Sequence, residues 1–263
     1  MKPGKTGPKL SALVVARNEQ AQLAACLETL RFADEIVVVL DRSTDGSSRI
    51  ARRFKAKLVE GAWEREGPRR NAGIAACKGD WILEVDADER VSPELAAEIR
   101  ATLEWADQEI ARGYFLVPMA NYVGGRLVRF GWGAYNGVAA KPSLFRNGAK
   151  HWGAGRVHPK IELTGKEGAL VQPMEHRVDR SLSDMIQRLN RYTDLAAADA
   201  REAGRKPRLS RALRRSFSRG WKSYVARQGR REGAWGVALA LFSALYPLLI
   251  DLKLATFKDG ERR

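Results

Sequence analysis

Lys78-Gly79-Asp80-Trp81-Ile82-Leu83-Glu84-Val85-Asp86-Ala87-Asp88-Glu89 decides the fold of this 263-residue chain. Trp81 to Val85 reads as a short buried strand running into two carboxylates one residue apart. Side chains alternate faces along a strand, so Asp86 and Asp88 are expected on one side if the extended backbone continues through them. Paired carboxylates at the C-terminal end of a strand make a hard-oxygen pocket suited to Mg²⁺ or Mn²⁺. Open α/β sheets take their ligands at that same edge. An isolated D-x-D also suits a plain acidic turn after a core strand, so its surroundings have to choose.

Upstream, Ser11 to Ala16 fits a buried strand and meets the polar turn Arg17-Asn18-Glu19. Gln20 to Leu30 has helical spacing, with Leu23, Leu27 and Leu30 on one face. A second strand, Ile36 to Leu40, runs into Asp41-Arg42-Ser43-Thr44-Asp45-Gly46, a cluster of turn and capping residues. Asp45 or Ser47 can cap the helix that follows, to about Phe54. Lys57 to Val59 is a short third strand, and a helix from Pro68 to about Cys77 leads back to the opening stretch. Strand alternating with helix predicts a mostly parallel α/β sheet. The turns at Arg17 to Glu19, Asp41 to Asp45 and Asp86 to Asp88 then share one edge, which favours a site over an acidic turn.

Downstream, Ser92-Pro93 starts a helix reaching about Gln108. Tyr114 to Val123 reads as a strand and Gly124-Gly125 as a hairpin turn. Arg126 to His176 mixes aromatic residues (Trp132, Tyr135, Trp152) and histidines (His151, His158) with glycine-rich intervals that suit either core or loops over a site. From Ser181 a helix carrying Met185, Leu189, Tyr192 and Leu195 leads into the tail.

The formal net charge is +15. Eleven Lys and Arg residues and no Asp or Glu lie between Arg205 and Arg231, so the remainder carries only +4 (15 minus 11). Within that segment Leu209, Leu213, Phe217, Trp221 and Tyr224 recur every three or four residues, the pattern of a helix lying on an anionic membrane. Gly233 to Ile250 has no charged residue across eighteen positions, the lower edge of a membrane span. Pro247 and the small residues Gly236, Ala240 and Ala244 favour monotopic insertion over a straight span. A helix packed on the rest of the protein has the same pattern. Cys26 and Cys77, without metal-type spacing, read as buried thiols in a reducing compartment. The apolar run at Leu10 to Ala16 is too short for a signal peptide, so the expected location is the cytoplasmic face of the inner membrane.

Arg70, early in the helix that feeds the D-x-D strand, can grip phosphate oxygens in a fork, aided by the helix N-terminus. Asp41 or Asp45 can accept hydrogen bonds from a base or ribose. A divalent metal held by the carboxylates would bridge a nucleotide diphosphate and stabilise its departure. The alternatives are another metal-dependent nucleotidyl- or phosphoryl-transfer enzyme, or a basic nucleic-acid module. The latter leaves the carboxylates unexplained, and no nucleic-acid partner is expected.

Ala16-Arg17-Asn18-Glu19, Asp34-Glu35-Ile36-Val37-Val38-Val39, Ser43-Thr44-Asp45-Gly46, Arg70-Asn71-Ala72 and Gly79-Asp80-Trp81-Ile82-Leu83 through Asp86-Ala87-Asp88-Glu89 resemble the ordered motifs of family 2 glycosyltransferases. Leu144-Phe145-Arg146, Val157-His158 and Arg231-Glu232-Gly233 with the apolar tail resemble a subgroup that includes lipopolysaccharide-core β-1,4-glucosyltransferases. The resemblance implies a GT-A fold, a nucleotide-sugar donor such as a UDP-hexose, a divalent metal, inversion at the anomeric carbon, and a lipid-linked acceptor such as lipopolysaccharide core. It puts Asp86 near the ribose and metal and Asp88 on the metal, with His176 as a possible third ligand. Ala16, Arg17, Asn18, Glu19, Arg70 and Asp45 would line the donor site. Asp41 stands one place later than the family's usual Asp, where this chain has Leu40. Relatives often carry an acid after the Val-His pair; here Pro159 stands there, which leaves His158 as the nearest general base, with Glu162 and Asp179 behind it. The expected division is residues 1–9 as a basic arm, 10–180 as the catalytic domain (donor half 10–110, acceptor half 111–180) and 181–263 as a membrane-associating tail.

Overall fold

The computed structural model describes residues 7–106, 112–133, 138–154 and 160–256. In chain order its elements begin β1 (Leu10–Ala16), α1 (Leu23–Thr29), β2 (Glu35–Asp41), α2 (Ser47–Arg53), β3 (Lys57–Gly61), α3 (Glu66–Ala76), β4 (Trp81–Asp86), β5 (Glu89–Arg90), α4 (Pro93–Ala106) and β6 (Arg112–Val123). There follow β7 (Arg126–Leu127), β8 (Ala140–Arg146), β9 (Lys150–Trp152), β10 (Ile161–Leu163), β11 (Lys166–Ala169), β12 (Met174–Asp179), α5 (Leu182–Glu202), α6 (Leu209–Trp221) and α7 (Ala234–Thr256). They group into two compact units, one of residues 1–119, 140–155 and 159–176, the other of residues 120–139, 156–158 and 177–263.

In the first unit the strands run β3-β2-β1-β4-β8-β6 across the sheet. β1 is parallel to β2 and β4, and β2 to β3. Parallel neighbours need crossover connections, which α1, α2 and α3 supply. The chain builds outward from β1 to β3 and then returns to β1's other side, so the order reverses between β1 and β4. Ligands of open α/β sheets bind at such a switch point, outside the strands' C-terminal ends. The parallel part stops at β4: β8 is antiparallel to β4 and to β6, which makes the whole sheet mixed.

β1 is buried on both faces, as parallel strands between helical layers must be. Leu10, Ala12, Val14 and Ala16 enter one core with Trp81, Leu83 and Val85 of β4. Leu13 and Val15 enter the other with Val37, Val39 and Ile82. α3 covers that second face closely: a Cβ on Gly73 would lie 2.6 Å from Leu13 Cδ1 and 2.7 Å from Val39 Cγ2. A Cβ on Gly67, in α3's first turn, would meet the Gly153 carbonyl oxygen at 1.7 Å.

β4 ends at Asp86 and does not continue through the D-x-D. Ala87 and Asp88 form a tight turn into β5. The expectation that Asp86 and Asp88 share a strand face therefore fails, because the turn re-aims Asp88. Ser92 caps α4 as its sequence predicted, its hydroxyl accepting from the Leu95 N–H at 3.1 Å. Cys26 lies in α1, Cys77 just beyond α3, and both are free, buried thiols whose pKa burial pushes up to about 12.

In the second unit, Gly124 and Gly125, with φ of 57° and 78°, make the predicted hairpin turn between β6 and β7. That sign of φ suits glycine best. Ser181 caps α5 through the Asp184 N–H. Met185 and Leu189 of α5 pack with Leu239, Phe242 and Tyr246 of α7 and with Val123, Val128 and Trp132. Glu232 is buried and accepts from the backbone N–H groups of Arg129 at 2.7 Å and Phe130 at 3.0 Å. α6 lies along α7 with Gly220 against Ala240 and Ala244. Outward from that contact Leu213, Phe217 and Trp221 are exposed, Phe217 at 76%. Glu232→Ala strands two partly buried N–H donors and is expected to lower stability by about 1–3 kcal/mol, read from the urea unfolding midpoint.

Candidate active site

The turns after β1 and β2 are tied together by side chains. Asn18 Oδ1 accepts from the Thr44 N–H at 2.9 Å, and Asp45 Oδ2 from the Gln20 N–H at 2.9 Å. Ser47 Oγ accepts from the Glu19 N–H at 3.1 Å, and Asp45 Oδ1 from the Ser47 N–H at 3.0 Å. Asn18 holds φ at 56°, a conformation asparagine tolerates better than most residues. The predicted residues Asn18, Glu19 and Asp45 thus meet in one interlocked pair of loops. Arg17 is exposed beside them, and the Ala16 methyl lies in the core. Asp41 is buried and engaged by Arg42 Nε at 3.0 Å, the Trp63 N–H at 3.0 Å and Arg69 Nη1 at 3.4 Å. Burial opposes its ionisation, but these donors and the two arginine charges outweigh that and lower its pKa.

The centre of the edge is Arg70. Its Nε donates to Glu66 at 2.8 Å, Nη1 to Glu84 at 2.7 Å and Nη2 to Asp86 Oδ1 at 2.9 Å. Glu66 lies one turn before it on α3, while Glu84 and Asp86 are two apart on β4 and so share a face. The guanidinium also stacks 4.7 Å from the Trp152 ring centroid. Glu84 is buried, and its second oxygen accepts from Lys150 Nζ at 2.6 Å and Trp152 Nε1 at 3.2 Å. Burial alone would raise the pKa of Glu84, yet Lys150 and Arg70 together hold it below its ordinary value. Burial likewise opposes the Asp86 charge, and Arg70 and Lys141 overcome it, keeping that carboxyl well below the usual range.

Lys141 reaches the same place from β8. Its ammonium donates to Asp86 Oδ2 at 2.9 Å and to Glu89. Glu89 is buried and accepts from the Asp86 N–H at 2.9 Å. Asp88 Oδ2 stands 3.6 Å from His176 Nε2, brought there because His176 of β12 is the register partner of Glu89. Both oxygens of Asp86 are thus engaged by cations. Among the described residues no group of three or more His, Cys, Asp and Glu side chains converges as a metal cage. The carboxylates of this turn are the ligand type that suits Mg²⁺ or Mn²⁺, ions that need only one or two of them and keep several water and phosphate ligands.

Sequence reading missed Glu84, Glu89, Lys141 and Lys150. A charge inside an otherwise apolar β4 was the visible signal for Glu84; the two lysines sit on strands whose pairing is not local. His158 and Pro159 lie outside the described residues. Glu162 is exposed on β10. Asp179, in the second unit, accepts from Arg188 at 2.7 Å. Arg70→Met leaves Glu84 and Asp86 short of a counter-charge and is expected to cost about 3–5 kcal/mol in chemical denaturation. Arg70→Lys should cost less, since a point charge cannot span three carboxylates but still neutralises one.

Residues 11–135 match the model of glycosyl transferase family 2. The lipopolysaccharide core biosynthesis glycosyltransferase LpsC of Rhizobium meliloti (strain 1021) is 26% identical over 267 residues, covering 93% of this chain and 91% of that protein. An uncharacterized glycosyltransferase of Rickettsia bellii (strain RML369-C) is 27% identical over 258 residues, covering 95% and 86%. Among solved structures, S. aureus TarS 1–349 in complex with UDP-GlcNAc aligns at 18% identity with a TM-score of 0.43, over 72% of this chain and 66% of that one. Glucosyl-3-phosphoglycerate synthase from Mycobacterium tuberculosis, in complex with Mn²⁺, UDP and glucosyl-3-phosphoglycerate, aligns at 20% identity and a TM-score of 0.37, over 45% of this chain and 46% of that one. Residues 11–135 carry a family 2 glycosyltransferase domain, and the protein is a glycosyltransferase.

Proposed function

We propose that this glycosyltransferase moves a hexose, such as glucose, from a nucleotide-diphosphate donor to a lipid-linked glycan of the lipopolysaccharide-core type, with inversion at the anomeric carbon. The observation that carries the reading is the cluster of Arg70, Asp86, Lys141, Asp88 and His176 at the switch point between β1 and β4. An acceptor hydroxyl attacks the anomeric carbon, the bond to the diphosphate oxygen breaks, and the hydroxyl proton passes to a base, the role proposed for His158. Asp86, Asp88 and His176 would hold the divalent ion. When bound, such an ion neutralises charge on the departing diphosphate as a Lewis acid. Arg70 keeps Asp86 ionised and aimed, and the locked turns at Asn18 and Asp45 give the nucleotide a fixed wall. LpsC, similar along most of its length, is named for lipopolysaccharide core biosynthesis, which supports the acceptor class. UDP is the proposed nucleotide, in keeping with TarS and its UDP-GlcNAc.

Asp88→Ala is expected to lower sugar transfer at least about a hundredfold and to weaken metal-dependent nucleotide-sugar binding, with an unchanged melting temperature. Donor consumption by purified protein with Mn²⁺ and a panel of nucleotide sugars reads this directly. Full activity in the variant refutes the metal role of Asp88.

The acceptor class goes with attachment to the cytoplasmic membrane surface through residues 205–250. In α6, exposed Leu209, Leu213, Phe217 and Trp221 run along one side, with Arg211, Arg214 and Arg215 exposed around them. α7 adds exposed Val237 and Leu241. α7 is long and apolar enough to cross a membrane by length and composition. Its Leu239, Phe242 and Tyr246 are buried among protein side chains, which supports peripheral or monotopic attachment over a lone span. Phe217→Ser with Trp221→Ser is expected to reduce co-flotation with anionic vesicles about tenfold or more, with neutral vesicles bound weakly by either form. Equal flotation of both forms excludes this face as the contact.

A further inference from the structure

Lys141 reaches the cluster from β8, outside the α3–β4 pair. β8 runs antiparallel to β4 with Leu144 opposite Leu83, and three further residues of that register bring Lys141 level with Asp86. Its ammonium takes Asp86 Oδ2 while Arg70 takes Oδ1. It also takes Glu89, a carboxylate that is 1% exposed and that holds the Asp86 N–H with its other oxygen. Lys141 thus bridges two acidic side chains that flank Asp88 in sequence. Two of its three ammonium protons serve these partners, and about a quarter of its side chain (27%) remains open to solvent.

A divalent ion and this ammonium compete for the same oxygen. An ion that includes Asp86 among its ligands has to take Oδ2 from Lys141, because Oδ1 belongs to a guanidinium fixed by three carboxylates. The displaced ammonium then stands within a few ångströms of a doubly charged ion, which opposes entry of the metal alone. A diphosphate reverses the balance. It offers the ammonium new anionic oxygens, and the lysine stem is long and flexible enough to follow them, unlike the clamped Arg70.

We propose that Lys141 gates metal entry: its ammonium covers Asp86 and Glu89 and shifts onto the donor's diphosphate, so that metal and nucleotide bind as a pair. The inference rests on the donor-site reading above and deepens it. Lys141 acts here as a positioning residue, through the carboxylates it covers, and its substitution is expected to strengthen the binding of metal by itself. A merely structural lesion does not do that.

The test titrates Mn²⁺ into the full chain by electron paramagnetic resonance, with and without saturating UDP, in wild type, Lys141→Met and Lys141→Arg. Lys141→Met is expected to bind Mn²⁺ alone at least about tenfold more tightly than wild type. The factor by which UDP enhances Mn²⁺ affinity is expected to fall at least tenfold in that variant and to be restored substantially by Lys141→Arg. Mn²⁺ affinity without UDP that is unchanged or weaker in Lys141→Met overturns the gate while leaving the donor site standing, provided wild type binds Mn²⁺ in the presence of UDP. If wild type binds no Mn²⁺ even with UDP, the donor-site reading falls and the gate with it. Should Lys141→Met not fold, Lys141→Gln is measured identically, and the same two outcomes decide.

Discussion

A guanidinium with 11% of its side chain exposed, held by three carboxylates, is the constraint on which the first unit turns. Taking such a group from water is costly, and it is tolerable only when each donor finds its acceptor in good geometry. That requirement fixes α3 over β4 and fixes Trp152 of β9 against the same plane. The glycines at 67 and 73 follow from it, since α3 must approach both the sheet and the Gly153 carbonyl more closely than any Cβ permits. Lys150 then completes the charge of Glu84 from the far side. Packing and the electrostatics of the strand edge are here one arrangement, because the residue that seats the helix also ionises Asp86.

Around that fixed point the edge is assembled from parts with different stiffness. The turns at Asn18 and Asp45 are cross-linked by backbone-to-side-chain hydrogen bonds, each short and local to two neighbouring strand ends. The D-x-D turn is held differently, by Glu89 folding back on the Asp86 N–H and by pairing with β12. Asp88 consequently sits at the end of a two-residue turn and not on a rigid strand. A carboxylate so placed can adjust to an arriving ligand, whereas Asp86 cannot move without breaking the Arg70 clamp.

The parallel part of the sheet was legible because β1 and β2 are apolar runs ended by polar turns and β4 is largely one, with helical spacing between them. The Gly124-Gly125 hairpin, the Ser92 cap and the helix start at Ser181 were legible for equally local reasons. The D-x-D geometry was misread because strand alternation was carried past Asp86, where Ala87 and Asp88 turn to start β5. Lys141 and Lys150 were invisible for a different reason. Their meaning depends on β8 and β9 lying near β4 some sixty residues earlier, and no periodicity in the sequence encodes that pairing. Glu84 was in plain view as a charge within a buried strand; the cue was present and its partners were not.

Glu232 carries a consequence for how the chain is made. The backbone N–H groups of Arg129 and Phe130 emerge from the ribosome about a hundred residues before the carboxylate that receives them. The hydrophobic cluster around Val123, Val128 and Trp132 likewise waits for Leu239, Phe242 and Tyr246. The first unit's parallel strands, by contrast, find their partners within the first ninety residues. Synthesis from the N-terminus therefore delivers a parallel sheet that can form early, and a second unit that stays open until translation is nearly over. During that interval Val123, Val128 and Trp132 lack the α7 side chains that cover them, so the nascent chain exposes apolar surface that the finished protein buries.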